Sequence, residues 1–137
     1  MESRENEIIN NFSLLTSWED KYEYLIQLGQ EMPVLAKELK SNKHLISGCQ
    51  SKVWLVCKEI DHKLYFYADS DALITRGIVA IIVMLYSGLS AKEIRNYKSN
   101  VFEKIGLTEH LSMTRLNGLN KMLEQIDGYA NKVLKYE

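Results

Sequence analysis

The sequence has few of the residues that separate one folded unit from another. Its 137 residues include a single proline, Pro33, and seven glycines. We find no internal repeat, low-complexity segment or linker between two segments of different composition. A chain of this length can bury most of its apolar surface in one core. We therefore predict a single domain over residues 1–137.

The chain also lacks a dominant sign of charge and a long apolar run. It carries 17 basic and 18 acidic residues, a net charge of −1, so we expect no nucleic-acid partner. Its longest uninterrupted apolar run, Ile78 to Leu85, is far shorter than the ~20 residues of a spanning helix, and we expect no membrane partner. The segment MESRENEIINNF has no apolar run behind a basic start, which predicts a cytoplasmic protein without a signal peptide.

Cysteine is scarce as well. The chain has two, Cys49 and Cys57, and without a secretion signal we expect both to be reduced thiols. There is no Cys-x-x-Cys pair and no Cys/His pair at loop spacing, so the sequence predicts no metal site. A cysteine-protease interpretation would need a histidine base, and three histidines in a chain of this length make that pairing unspecific.

The local patterns alternate between helical and extended segments. Helices are predicted over Asn6–Leu15, from Thr16 to about Gln30, in a turn at Leu35–Leu39, from Ser70 or Asp71 to Gly88, after Ser90, after Asn100 and after Ser112. Strands are predicted at Lys52–Ile60 and Lys63–Ala68, joined by Asp61 and His62 in an antiparallel hairpin. Helices before and after a hairpin predict the α+β class, a small antiparallel sheet packed with helices.

Cys49 has an unusual position. It follows Gly48 and directly precedes the first strand, where the backbone is permissive and the chain can reach outward. A reactive thiol needs such access together with stabilisation of the thiolate. Many isolated cysteines are merely buried, so the residues alone leave both interpretations open. Cys57 lies inside an alternating strand and is predicted to serve packing.

Arg115 is unusual too. With Ser112 as the helix cap, Arg115 lies in the first turn of the terminal helix, where a cation opposes the helix dipole by about 0.3–1 kcal/mol. It is either a solvated surface residue or part of a site in which the helix N-terminus and the guanidinium face an anion. Asp71 begins the central helix, and a capping role alone would explain it.

Three segments together carry a family resemblance. SGCQSKVWL, ADSDALITRGIVAIIVMLYSG and IGLTEHLSMTRLNGLNKML resemble the signature segments of the SufE family, the cysteine desulfuration proteins, in order and in spacing. The resemblance extends from about Asn10 to Ile126. Met113 stands where many members have proline, and both residues suit the first position of a helix.

The resemblance implies a sulfur carrier rather than an autonomous enzyme. Cys49 matches the acceptor cysteine, which takes sulfur from the persulfide of a SufS-type cysteine desulfurase and passes it to a SufBCD-type scaffold. The implied fold is similar to that of the IscU scaffold proteins, with neither pyridoxal phosphate nor a metal held by the carrier itself. The residues expected to orient the loop or contact the partner are Gly48, Gln50, Ser51, Asp71 and Arg115.

Two alternatives stay open at this point. An IscU-like scaffold that binds a metal or cluster would need several cysteines at one site, and Cys49 is alone in its segment. A CsdE-type carrier would use another desulfurase and another acceptor, and the sequence does not separate it from a SufE-type carrier. A homodimer is also left open. At rest we expect the Cys49 side chain to turn inward against apolar residues, which would shelter a persulfide from reductants.

Overall fold

The structure is a computed structural model, and it describes residues 2–46, 51–97 and 99–135. Its helices are α1 (Glu2–Ser13), α2 (Trp18–Glu31), α3 (Leu73–Tyr86), α4 (Ala91–Asn96), α5 (Val101–Lys104) and α6 (Met113–Lys135), with short 3-10 turns at Lys37–Leu39, Asn42–His44 and Leu107–Glu109. The strands are β1 (Val53–Ile60) and β2 (Lys63–Ser70). The predicted α+β class is confirmed, although α1 begins and ends earlier in the chain than predicted.

The hairpin forms as predicted. In its register Val53 lies opposite Ser70, and Ile60 lies opposite Lys63. The two turn residues, Asp61 and His62, have φ angles of 52° and 66°, the left-handed backbone that a two-residue hairpin turn of the favoured hand requires. The turn thereby fixes which side chains of β1 and β2 face the helices.

The core is built around α3, which packs against α2 and against β2. Most of its residues are buried, which confirms the predicted central helix, but Met84 is 42% exposed and marks a partly uncovered face. The predicted helix stop is confirmed, because α3 ends at Tyr86 and Gly88 follows with a φ of 87°. The sheet and α2 therefore fix the position of α3, and with it the residues of its first turn.

Serine side chains cap the N-termini of α2 and α4. The predicted capping box at α4 is present: the Ser90 N–H donates to Glu93 Oε1 at 3.0 Å, and the Glu93 N–H donates to Ser90 Oγ at 3.1 Å. At α2 the cap is Ser17, whose hydroxyl accepts from the Asp20 N–H at 3.1 Å. The prediction that Thr16 begins this helix was wrong by one residue, because both neighbours can cap.

Two glycines allow α2 and α3 to touch backbone to backbone. A Cβ atom on Gly77 would lie 2.1 Å from the carbonyl oxygen of Leu25, and one on Gly29 would lie 2.9 Å from the amide nitrogen of Gly77. No side chain fits between atoms at those distances. This crossing sets the depth at which α3 lies in the molecule.

Candidate functional site

The predicted site residues fall into a described and an undescribed group. Gly48, Cys49 and Gln50 lie outside the described residues, whereas Ser51, Asp71 and Arg115 are described. The chain is held on both sides of residues 47–50, since the Ile46 N–H donates to the Val53 carbonyl at 2.9 Å and Leu45 pairs with Trp54. The ends of this segment are therefore fixed next to the start of β1.

Asp71 joins β1 to the start of α3. Its carboxylate accepts from the Lys52 N–H at 3.0 Å, and its own N–H donates to the Lys52 carbonyl at 3.2 Å. The predicted capping role was wrong: the N-cap of α3 is Ala72, which makes no side-chain cap. Ser70 Oγ accepts from the N–H of Ala72 itself. Asp71 therefore binds both backbone groups of Lys52, the residue that follows Ser51.

Arg115 lies in the first turn of α6, as predicted. Ser112 caps this helix, and its hydroxyl accepts from the Arg115 N–H at 3.2 Å. The Arg115 side chain is exposed, and within the described residues it forms no ion pair, with Asp71 or with any other acid. The cation that opposes the helix dipole is therefore left without a compensating charge in the described part of the chain.

A small cavity of about 20 Å³ lies between the first turns of α3 and α6. It is lined by Ser51, Thr75, Ile78, Thr114, Arg115, Gly118 and Met122. The lining thus combines apolar side chains with three hydroxyl-bearing residues and one arginine. The volume is close to what one small molecule such as water requires. The structure thus brings Ser51 and Arg115 together at one cavity, while Asp71 holds the neighbouring backbone.

Thr75 is a cavity residue that the sequence patterns did not indicate. It is only 6% exposed, and it lines the cavity from the first turn of α3. In the sequence, the signal was a polar pair, Thr75 and Arg76, in the first turn of a helix that is apolar from Ile78 onward.

A second group of charges, also missed, lies beside the site. Asp69 is 3% exposed and pairs with two cations: Lys40 Nζ lies 2.8 Å from its Oδ2, and Arg76 Nε lies 3.2 Å from its Oδ1. The Ser70 N–H also donates to Asp69 Oδ1 at 2.8 Å. Lys40 lies over the ring of Trp54, 5.9 Å from its centroid.

This group connects three parts of the chain. Lys40 follows the 3-10 turn at Lys37–Leu39 and belongs to the segment that leads into residues 47–50, whereas Asp69 ends β2 and Arg76 lies in α3. A buried carboxylate that lost both cations would be strongly destabilising. The group therefore anchors the approach to the Cys49 segment on the hairpin and the central helix. In the sequence, only the presence of an acid, Asp69, directly after the predicted second strand indicated this group.

Cys57 lies on β1 opposite Phe66 and is partly buried, as predicted. Burial, with a smaller contribution from the charge of Glu59, raises the pKa of its thiol to about 11. Such a thiol is almost entirely protonated at neutral pH and reacts slowly. Cys57 therefore has the properties of a packing residue.

The described residues contain neither a metal-binding cluster nor a helix that could span a membrane. Among them, no group of three or more histidine, cysteine, aspartate or glutamate side chains could hold a metal ion. Within the same residues, no helix is both long and apolar enough to cross a membrane.

Comparison with known sequences identifies relatives over most of the chain. The family described as SufE, Fe-S metabolism associated domain, matches residues 6–130. An uncharacterized SufE-like protein of Rhizobium meliloti is 41% identical over 130 residues, covering 91% of this chain and 93% of the relative. A similar protein of Rhizobium etli is 43% identical over 126 residues, covering 88% of this chain and 85% of the relative.

A solved structure supports the fold. The solution structure of a hypothetical protein from Thermus thermophilus superposes with a TM-score of 0.77, covering 96% of each chain at 16% sequence identity. At this identity the likeness concerns the arrangement of helices and strands alone.

Proposed function

This chain belongs to the SufE family, and from that premise we propose that it is a sulfur carrier with Cys49 as the acceptor. It takes sulfur from the persulfide of a SufS-type cysteine desulfurase in the cytoplasm and stimulates that enzyme. It then delivers the sulfur to a SufBCD-type scaffold for iron–sulfur cluster assembly. The carrier needs no cofactor of its own for this exchange.

The observation that carries the proposal is the cavity next to Ser51. Cys49 precedes Ser51 by two residues, a length of chain that spans at most about 7 Å. That length is short enough for Cys49 to use a small cavity lined by Ile78, Met122 and Arg115 among others. This combination suits a sulfur anion that must be kept from solvent.

The chemistry is thiol–disulfide exchange. The Cys49 thiol loses its proton to solvent, and the thiolate attacks the outer sulfur of the desulfurase persulfide. The bond between the two sulfurs of the desulfurase breaks, and the desulfurase cysteine leaves as a thiolate. Cys49 now carries the persulfide, with no net oxidation or reduction. A CsdE-type carrier would perform the same step with another desulfurase.

The experiment that tests the proposal is mass spectrometry of the protein after incubation with a SufS-type desulfurase and free cysteine. We expect a gain in mass of one sulfur atom that a reductant removes, together with faster alanine release by the desulfurase. A CsdE-type desulfurase tested in parallel decides between the two pathways. Absence of the adduct with either enzyme, together with near-stoichiometric iron or zinc in the purified protein, would favour the IscU-like scaffold instead.

We expect Arg115→Ala to lower desulfurase stimulation several-fold and to shift the melting temperature little. Arg115 is exposed and forms no ion pair in the described chain, so its loss removes at most ~1 kcal/mol of stability. The variant would lack the positive charge that Arg115 offers at the cavity to the docked partner or to the sulfur anion. Stimulation assays and thermal unfolding measure the two effects.

Arg95→Ala provides the matched control, because Arg95 is also exposed but lies in α4 and does not line the cavity. It should leave stimulation unchanged. A docking role for Arg115 would be wrong if Arg115→Ala melted the protein while the remaining folded fraction worked normally.

A further inference from the structure

One face of the hairpin departs from the usual alternation of buried apolar and exposed polar residues. Its helix-facing side carries residues such as Leu64 and Phe66, which are 1% and 2% exposed, and the Phe66 ring meets Tyr129 of α6. A sheet with one covered face normally carries polar side chains on the other. The other face, here called the outward face, consists of Trp54, Val56, Lys58 and Ile60 in β1 and of Lys63, Tyr65, Tyr67 and Asp69 in β2. Five of these eight positions are aromatic or aliphatic.

The apolar side chains of the outward face include two that are well exposed. Ile60 is 51% exposed, and Tyr67 is 39% exposed. Aromatic residues are enriched at the centres of protein interfaces, where a few of them contribute most of the binding energy. Exposed side chains of this kind on the face of a sheet indicate a surface that another protein covers.

The exposed charges of the outward face are positive. Lys58 and Lys63 are both exposed, whereas the acid of the face, Asp69, is 3% exposed and is paired with two cations. Lys58 Nζ lies over the Tyr67 ring, 5.6 Å from its centroid, so charge and apolar area are offered together. Of the two lysines Lys58 is the better probe, since the charge of Lys63 also acts on Glu93. A protein that matches this face presents carboxylates, because positive groups would be repelled.

The outward face and the cavity lie on different sides of the sheet. The cavity is lined by residues of α3 and α6 together with Ser51, and these helices pack on the helix-facing side of the hairpin. The outward face begins at Trp54, three residues after Ser51, which is about 10 Å along a strand. A sulfur carrier serves a donor and an acceptor in turn. With the desulfurase assigned to the side of Arg115, the outward face is free for the acceptor.

We propose that the outward face of the hairpin is a docking surface for an acidic patch on the SufBCD-type scaffold, an inference that rests on the proposed function. Lys58 supplies the charge, and Tyr67 and Ile60 supply the apolar contact. The positive charge raises the rate of encounter with an acidic surface, whereas the apolar contact slows dissociation. Donor and acceptor are then recognised by different surfaces of one small carrier.

The test measures the affinity of the full chain for an immobilised SufBCD-type scaffold by surface plasmon resonance. We expect Lys58→Glu to weaken binding by about tenfold or more, and the parent's affinity to fall as salt is added. Tyr67→Ala should weaken binding by a similar factor, whereas Tyr67→Phe, which keeps the ring, should bind as the parent does. Sulfur uptake from the desulfurase should proceed at the parent rate in all three variants, while delivery to the scaffold slows in the first two.

Lys132→Glu is the matched control, because Lys132 is also exposed but lies in α6, and the substitution makes the same change in charge. It should bind the scaffold as the parent does, and melting curves check that each variant is folded. Unchanged scaffold affinity in Lys58→Glu would overturn the inference, and so would an equal loss in Lys132→Glu. A loss of desulfurase binding in place of scaffold binding would assign the face to the donor. Binding of duplex DNA that depends on Lys58, without scaffold binding, would assign it to nucleic acid, and either result overturns the inference.

The outcome for the proposed function is read separately. If the parent protein accepts sulfur from the desulfurase but Lys58→Glu binds the scaffold as tightly as the parent, the docking surface is wrong and the carrier function stands. If the parent accepts no sulfur while its affinity for the scaffold still depends on Lys58 and Tyr67, the carrier function fails and the docking surface is supported.

Discussion

A Cys49→Ser variant is expected to take up no sulfur from a cysteine desulfurase and to give no stimulation, whereas Cys57→Ser should keep most of both activities. Serine is a far weaker nucleophile toward sulfur and forms no stable persulfide, so the first variant loses the reaction itself. Sulfur uptake and stimulation by Cys49→Ser should both fall to the background of the assay. Mass spectrometry of the intact protein and of its peptides measures uptake and locates the added sulfur.

Cys57 is a matched control because its environment suppresses its chemistry. With a pKa of about 11, only about one molecule in ten thousand carries the Cys57 thiolate at pH 7. Burial favours the neutral thiol, so alkylation of Cys57 in Cys49→Ser should be very slow at pH 7 and rise as the pH approaches 11. A persulfide mapped to Cys57, or rapid alkylation of Cys57 at neutral pH, would contradict the assignment.

The elements that the sequence predicted well are those whose signals are local. The Asp61-His62 turn, the capping box at Ser90 and the cap at Ser112 each depend on residues within one turn of the chain, and all three are present. Central burial of α3 followed from its apolar composition. These features need no knowledge of the rest of the molecule.

The features that the sequence did not predict depend on distant partners. Aspartate is a common helix cap, but the Asp71 carboxylate accepts a hydrogen bond from the Lys52 N–H instead of from the first amides of α3. The residues next to Asp69 in the sequence do not explain its burial, because its ion-pair partners Lys40 and Arg76 come from other parts of the chain. Thr75 lines a cavity only because α6 packs beside α3. That packing joins distant parts of the chain, and a single sequence does not reveal it.

The packing of α2 against α3 leads to the largest expected effect on stability. Gly77→Ala should lower the free energy of unfolding by about 3 kcal/mol, because the new Cβ atom would lie 2.1 Å from the Leu25 carbonyl oxygen. That contact is with backbone, so one helix must move to relieve it. For a chain of this size the melting temperature should fall by about 10 °C. Thermal and urea unfolding measure the loss.

Gly128→Ala is the control, since Gly128 lies in α6 with no atom within 4 Å of the added Cβ in the described chain. Alanine is the better helix former by up to about 1 kcal/mol, so this variant should be as stable as the parent or more stable. Equal effects of the two substitutions would contradict the close crossing. A shift of α3 would also displace Thr75 and Ile78 at the cavity and Arg76 beside Asp69. The folded fraction of Gly77→Ala should therefore accept sulfur more slowly, while Gly128→Ala should work at the parent rate.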